Sequence, residues 1–141
     1  MRLLISAIAL VALVAGAAAV SAGPTKRDPA AELYIGWPNN GEVIKKRQIR
    51  VWFGLRNMGV APAGIDVANT GHHHLLIDVD LPPFDEPIPS DEQHLHFGKG
   101  QTEAVVKLEP GRHTLQLVLA DHLHIPHDPP VMSKPMTITV E

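Results

Sequence analysis

Eight of the nine histidines in this 141-residue chain fall in three clusters. The first is Gly71-His72-His73-His74-Leu75-Leu76-Ile77-Asp78, the second His94-Leu95-His96, and the third Asp121-His122-Leu123-His124-Ile125-Pro126-His127-Asp128. Neutral imidazole is the commonest protein ligand for transition metals and the side chain that titrates nearest neutral pH. In an extended strand, His-x-His puts both rings on one side with Cα atoms roughly 6–7 Å apart. His72 with His74, and His122 with His124, have that spacing, and two such pairs from neighbouring segments can enclose one ion. His72, His74, His122, His124 and His127 are therefore the preferred ligands, with His96 as a further candidate and His94 behind it. Asp78 and Asp121 could ligate directly or orient an imidazole from behind. A nitrogen-rich set without cysteine suits Zn(II), Cu(II) or Ni(II), and Met58, Met132 or Met136 could add thioether character for copper.

A second reading competes with the first. Histidines at strand ends often hydrogen-bond a loop carbonyl, and a buried ring can tie two segments together through its two nitrogens. Two long proline-rich loops without helices need such ties to satisfy their backbone. His73 shares a face with Leu75 and Ile77 and reads as a core or interface histidine. His113 stands alone.

The elements that must position these residues are strands. In Gln48 to Arg56, Ile49, Val51, Phe53 and Leu55 alternate with polar neighbours, which marks a half-buried strand. His73 to Val79 and His113 to Ala120 alternate likewise, as does Met136 to Glu141. Shorter strands are expected over Glu32 to Trp37, Gln93 to Phe97 and Thr102 to Leu108, with Val43-Ile44 as an edge piece. Asn39-Asn40-Gly41 and Glu109-Pro110-Gly111 supply turns. Leu81 to Ser90 holds four prolines and Asp121 to Pro130 three, so both read as loops. About seven strands predict an antiparallel β-sandwich of immunoglobulin-like type. In that architecture the third strand (73–79) lies antiparallel to the sixth (113–120). His72 and His74 then sit beside the chain just past Ala120, the return strand 93–97 delivers His96 to the same place, and His113 falls at the opposite end.

The remaining composition narrows the class. Arg2 followed by an apolar run to Val20 and the small residues Ser21-Ala22 reads as a secretory signal peptide over residues 1–22, with cleavage after Ala22. Residues 23–31 read as a linker and 32–141 as one domain, periplasmic or secreted, with no membrane span after cleavage. Removing Arg2 takes the formal charge from −3 to −4. With no basic patch beyond Lys45-Lys46-Arg47, nucleic acid is not an expected partner. A metal ion or another periplasmic protein is. There is no cysteine, so neither disulfides nor a thiol nucleophile are available. No Gly-x-Ser-x-Gly elbow exists, and Gly98-Lys99-Gly100 lacks the spacing and helix of a phosphate-binding loop. His94-x-His96…Glu103…Pro110-Gly111-x-His113 resembles the metal motif of cupins, with six residues between His96 and Glu103 where that motif has fewer. A cupin-like metal enzyme is thus a third reading.

Longer motifs resemble one family throughout. They are Asn69-Thr70-Gly71-His72-His73-His74-Leu75-Leu76-Ile77-Asp78, His96-Phe97-Gly98-x-Gly100-Gln101-Thr102-Glu103, Pro110-Gly111-x-His113-Thr114-Leu115-Gln116-Leu117, and Asp121-His122-x-His124-Ile125-Pro126-His127-Asp128-Pro129-Pro130-Val131. Together they resemble the secreted bacterial proteins grouped as domain of unknown function 4399, across nearly all of the expected mature chain. The resemblance implies a small exported all-β domain without an established activity and carries no site residues with it. A looser likeness to secreted copper-handling β-sandwiches rests on architecture and histidines. The function expected is an exported, non-catalytic module binding copper or zinc through a histidine-rich end. Its alternative is a structural or protein-interaction module whose histidines pin loops.

Overall fold

The computed structural model describes residues 24–141, so the expected signal peptide lies outside the described residues. Among those residues there is no helix, hence none long and apolar enough to cross a membrane. Ten strands form: β1 (Glu32–Trp37), β2 (Val43–Ile44), β3 (Gln48–Arg56), β4 (Gly59–Val60), β5 (Thr70–Ile77), β6 (His94–Phe97), β7 (Glu103–Lys107), β8 (Gly111–Ala120), β9 (Pro126–Met132) and β10 (Met136–Val140). Seven of them are the strands expected from the sequence, and β2 is the expected edge piece. A small sheet runs β1-β3-β7, and a large one runs β2-β10-β8-β5-β4, with β6 also on β5 and β9 also on β8. The long pairings are antiparallel. Only the two-residue strands β2 and β4 pair in parallel, with β10 and β5.

The two sheets close as an all-β sandwich over one apolar core. Leu33, Ile49, Val51, Phe53 and Val106 of the small sheet meet Leu75, Ile77, Leu115, Leu117, Leu119, Ile138 and Val140 of the large one. β3 shows the cause plainly: residues 49, 51 and 53 are buried while 48, 50 and 52 face solvent, the period of two that a pleated strand imposes. β5 differs, because from Gly71 to Ile77 every residue is buried. Its second face is roofed by the proline-rich loop 78–93. There Leu76 packs with Ile88, Val118 and Ala120 in a second, smaller core on the outside of the large sheet.

Two expected loops prove more ordered. Residues 126–132 form β9 despite Pro126, Pro129 and Pro130. Among the named strands β9 pairs with β8 alone, at Leu119↔Val131 and Val118↔Met132, with a register shift before Ala120↔Pro126, and its Asp128 makes one further parallel bridge to Lys26. Proline is tolerated there because an outer strand leaves one row of backbone groups unpaired. Residues 24–31, read as a linker, lie against the domain: the Asp128 N–H donates to the Thr25 carbonyl at 2.8 Å, and Asp28 N–H donates to Asn69 Oδ1 at 3.2 Å.

Register between β5 and β8 fixes everything above it. His72 stands opposite Ala120, His74 opposite Val118 and Leu75 opposite Leu117. Leu75 and Leu117 are both fully buried. Leu75→Ala should lower stability by about 2–5 kcal/mol, the usual cost of a cavity in a packed core. Urea denaturation of the two proteins, with an unchanged slope, checks this.

Candidate functional site

The outer face of β5 carries His72, His74 and Leu76, and the inner face carries His73, Leu75 and Ile77. β6 pairs antiparallel with β5 so that His96 lies opposite His74. The segment after β8 turns over the same face and brings His124. Four imidazoles thus meet: ring centroids are 4.9 Å apart for His72 and His74, 5.0 Å for His72 and His96, and 5.0 Å for His74 and His96. His124 lies 5.0 Å from His72, 4.8 Å from His96 and 6.1 Å from His74. His72 and His74 are fully buried, while His96 and His124 are partly exposed.

Two local devices hold the partly exposed rings. Asp121 Oδ1 accepts the N–H groups of Leu123 at 2.9 Å and Ile125 at 3.0 Å, and the His124 N–H donates to the Asp121 carbonyl. This cap lets His124 take φ 68°, in the left-handed region, which a non-glycine residue enters only with local support. The His124 carbonyl in turn accepts from Ile88 N–H at 2.8 Å, joining the turn to the proline-rich roof. His96 sits on Gly98, where an added β-carbon would collide with the imidazole Cε1 and Nε2. Nothing in the sequence distinguishes that use of Gly98 from an ordinary turn glycine.

The cluster differs chemically from the other histidines. His72 Nε2 and His74 Nε2 are 3.1 Å apart, and the Nδ1 atoms of both rings are buried without a partner, as is His96 Nε2. A neutral imidazole has one N–H and one lone pair. If one Nε2–H donates to the other, the accepting ring must bury its Nδ1–H unsatisfied, at a cost of about 1–3 kcal/mol. One atom from each of His72, His74 and His96 can be chosen so that all lie within 4.8 Å of one another, a group that could hold a metal ion. Two nitrogens bound at about 2.05 Å to one tetrahedral ion stand about 3.3 Å apart, so the 3.1 Å separation of the two Nε2 atoms, a hydrogen-bond distance as it stands, is close to that of paired ligands.

The remaining expected ligands lie elsewhere. His122 faces Asp66, with Nδ1 3.6 Å from Oδ1, in a separate depression of about 360 Å³ that Asp121 and His127 also line. His127 is buried between two carbonyls, Thr70 at 3.1 Å from Nε2 and Leu119 at 3.3 Å from Nδ1, and ties β9 to the start of β5. Gly71 makes room for it, since a β-carbon there would lie 2.8 Å from His127 Cε1 and 2.6 Å from the Ala120 carbonyl oxygen. His94 is held by Asp91 at 2.9 Å. Asp78 is at the far end, where it accepts from Thr114 N–H and pairs with His113. Met58 and Met136 pack in the main core and Met132 is largely exposed on β9. The cupin-like set is dispersed: His96 is in the cluster, Glu103 pairs with Arg50 on the small sheet, and His113 binds Asp78 and the Glu109 carbonyl.

His73 is the core histidine that its face predicts. It donates Nδ1–H to the Gln101 carbonyl at 3.0 Å and packs on Phe53 with ring centroids 5.1 Å apart.

Burial sets the protonation of the whole group. Burial first, then the neighbouring rings of His124 and His96, lowers His72 to about 4. Burial, with His72 and His96 beside it, lowers His74 to about 2. Burial lowers His73 to about 4 against the Gln101 carbonyl, and burial with His124 lowers His96. His72, His74 and His96 are therefore neutral at pH 7. At His113 burial also opposes charge, but the Glu109 carbonyl and Asp78 outweigh it and the value rises.

These shifts fix the sign of a pH effect. A histidine lowered on folding binds more protons unfolded, so its stabilisation is complete above about 6.5 and is lost as pH falls towards its folded value. His72 and His73 lose theirs between about 6.5 and 4, and His74 continues losing towards about 2. His113 contributes oppositely, stabilising below 6.5 and losing that as pH rises through its raised value. The metal-free protein should lose stability on acidification from pH 7 to 4, each lowered imidazole adding up to about 1.4 kcal/mol per pH unit. Urea midpoints measured across that range check this; a level midpoint would contradict neutral burial.

Comparisons with known proteins add a family and nothing finer. No curated protein and no solved structure matches the chain. A family model described as Domain of unknown function (DUF4399) matches residues 51–141, a span that holds β5, β6, β8 and all four clustered histidines. On that match the chain belongs to the DUF4399 family.

Proposed function

We propose that this domain binds a divalent transition metal, copper or zinc, through His72, His74, His96 and His124. The observation that carries the reading is a difference among the histidines. His73, His94, His113 and His127 each have a carbonyl or carboxylate within hydrogen-bonding distance, as pins should. The clustered rings face one another, and buried nitrogens of His72, His74 and His96 have no partner; His73 Nε2 is also buried without one, but that ring places its N–H on a carbonyl, which none of these three does. A metal ion bound at the Nε2 lone pairs of His72 and His74 would replace the single N–H that those two atoms share, whereas a loop pin has no use for three rings that touch mainly each other. The donor set is all nitrogen, with no thiolate and no methionine sulfur in the group, which favours Cu(II) or Zn(II) over Cu(I).

The histidines divide between the two readings, so pinning and binding coexist in one fold. Reading residues 1–22 as a signal peptide supports export, and a periplasmic or secreted location would expose the site to extracytoplasmic metal. Nothing in the cluster resembles a general base poised beside a nucleophile, so the reading is a binding module.

Titration of untagged, chelator-stripped protein with Cu(II) or Zn(II) against a competing chelator tests this. Binding tighter than about 1 μM is expected, with at least about 100-fold loss in the His72→Ala/His74→Ala variant. Excess metal should also raise the melting temperature of the wild type, since a ligand at 100 times its Kd adds about 2.7 kcal/mol. His127→Ala should instead lower the melting temperature while leaving metal affinity within a few-fold. Wild-type protein with no affinity tighter than about 10 μM, or a double variant that binds as well, overturns the reading.

A further inference from the structure

Asp121 has one oxygen too many for its visible task. Oδ1 alone accepts both backbone N–H groups that shape the 121–125 turn. Asp121 is 2% exposed, and Oδ2 is buried with no partner. An asparagine, or a serine, would cap the turn without a buried charge, whose desolvation is costly. The neighbouring residue Ala120 stands opposite His72, whose Nδ1, like that of His74, is buried without a partner, and no hydrogen bond joins His72 to Asp121 in this structure.

We infer that Asp121 is the carboxylate partner of His72 in the metal-bound protein, with Oδ2 accepting the Nδ1–H of a His72 ring that ligates through Nε2. The inference rests on the metal-binding reading above. Its chemistry is that of a ligand imidazole with a carboxylate behind it. Binding at Nε2 fixes the proton on Nδ1, and an acceptor there sets the ring's orientation and raises its basicity. Among the described residues Asp121 is also the one buried carboxylate. Four neutral imidazoles around a divalent ion carry two positive charges into a site roofed by the proline-rich loop, and the carboxylate halves that charge. Through its two oxygens Asp121 would then act on two ligands, holding His124 in place by the turn and His72 by its proton.

Asp121→Asn separates these tasks, because the amide oxygen can still accept from Leu123 and Ile125 while the second oxygen becomes an NH₂. Cu(II) and Zn(II) titrations of wild type, Asp121→Asn, His72→Ala, His96→Ala and the two double variants form the test. Asp121→Asn should bind about 10–100-fold more weakly with the metal-free melting temperature unchanged. The loss should vanish in the His72→Ala background and persist in full in the His96→Ala background. Equal affinity of Asp121→Asn and wild type, or an undiminished loss when His72 is already alanine, overturns the inference while leaving the metal reading standing. A wild type that binds neither metal overturns the reading itself. A measurement independent of folding in the variant uses the wild type alone. Long-range ¹H–¹⁵N spectra of the Zn(II)-loaded protein should give His72 a protected Nδ1–H, and ligation through Nδ1 would overturn the assignment.

Discussion

The antiparallel register of β5 on β8 is the constraint on which the rest of the molecule depends. Side chains alternate along a strand, so a slip of one residue would turn His72 and His74 into the sandwich and expose Leu75 and Ile77. Leu75 and Ile77 on one strand, with Leu115, Leu117 and Leu119 on the other, fill the main core and forbid that slip. The same pairing puts Ala120 opposite His72, so the chain leaving β8 must pass over the histidine face. β6 then completes the group from the other side by setting His96 opposite His74. The apolar core thus determines where the polar cluster forms, although no core residue belongs to it.

Much of this was legible in the sequence because alternation is a local signal. It marks β3, β8 and β10 residue by residue, and it separates His73 from His72 and His74 before any tertiary contact is known. The β5–β8 pairing followed from the sandwich architecture, and with it the meeting of His72, His74, His96 and His124. What stayed hidden was less local. His122 and His124 have the same spacing as His72 and His74, but they lie in a turn, and the positive φ of His124 breaks the rule that puts i and i+2 on one side. Only His124 reaches the cluster. His127 lies in a stretch whose prolines read as loop, and its role depends on β9 forming as an outer strand. The small outer core of Leu76, Ile88, Val118 and Ala120 was invisible because Ile88 arrives from the proline-rich loop, flanked by Pro87 and Pro89.

The neutral imidazole also explains why one residue type serves two ends in the same domain. With one N–H to donate, it can pin a single carbonyl, as His73 does at Gln101. Surrounded by other imidazoles instead, it can satisfy only part of the group, since every N–H that finds a lone pair leaves another proton or lone pair facing outward. His72, His74 and His96 bury such leftovers, a local conflict in a fold whose strands, core and turns otherwise agree with one another. Conflicts of that kind mark functional sites more often than structural ones. The conflict here has a specific chemical resolution, because a cation that accepts several lone pairs leaves each bound ring with one N–H to place. For His72 the acceptor we assign is Asp121 Oδ2, which is buried without a partner. The same carboxylate whose other oxygen shapes the His124 turn therefore links the geometry of the fourth ring to the protonation of the first, and a metal bound among them would be held by the turn as well as by the strands.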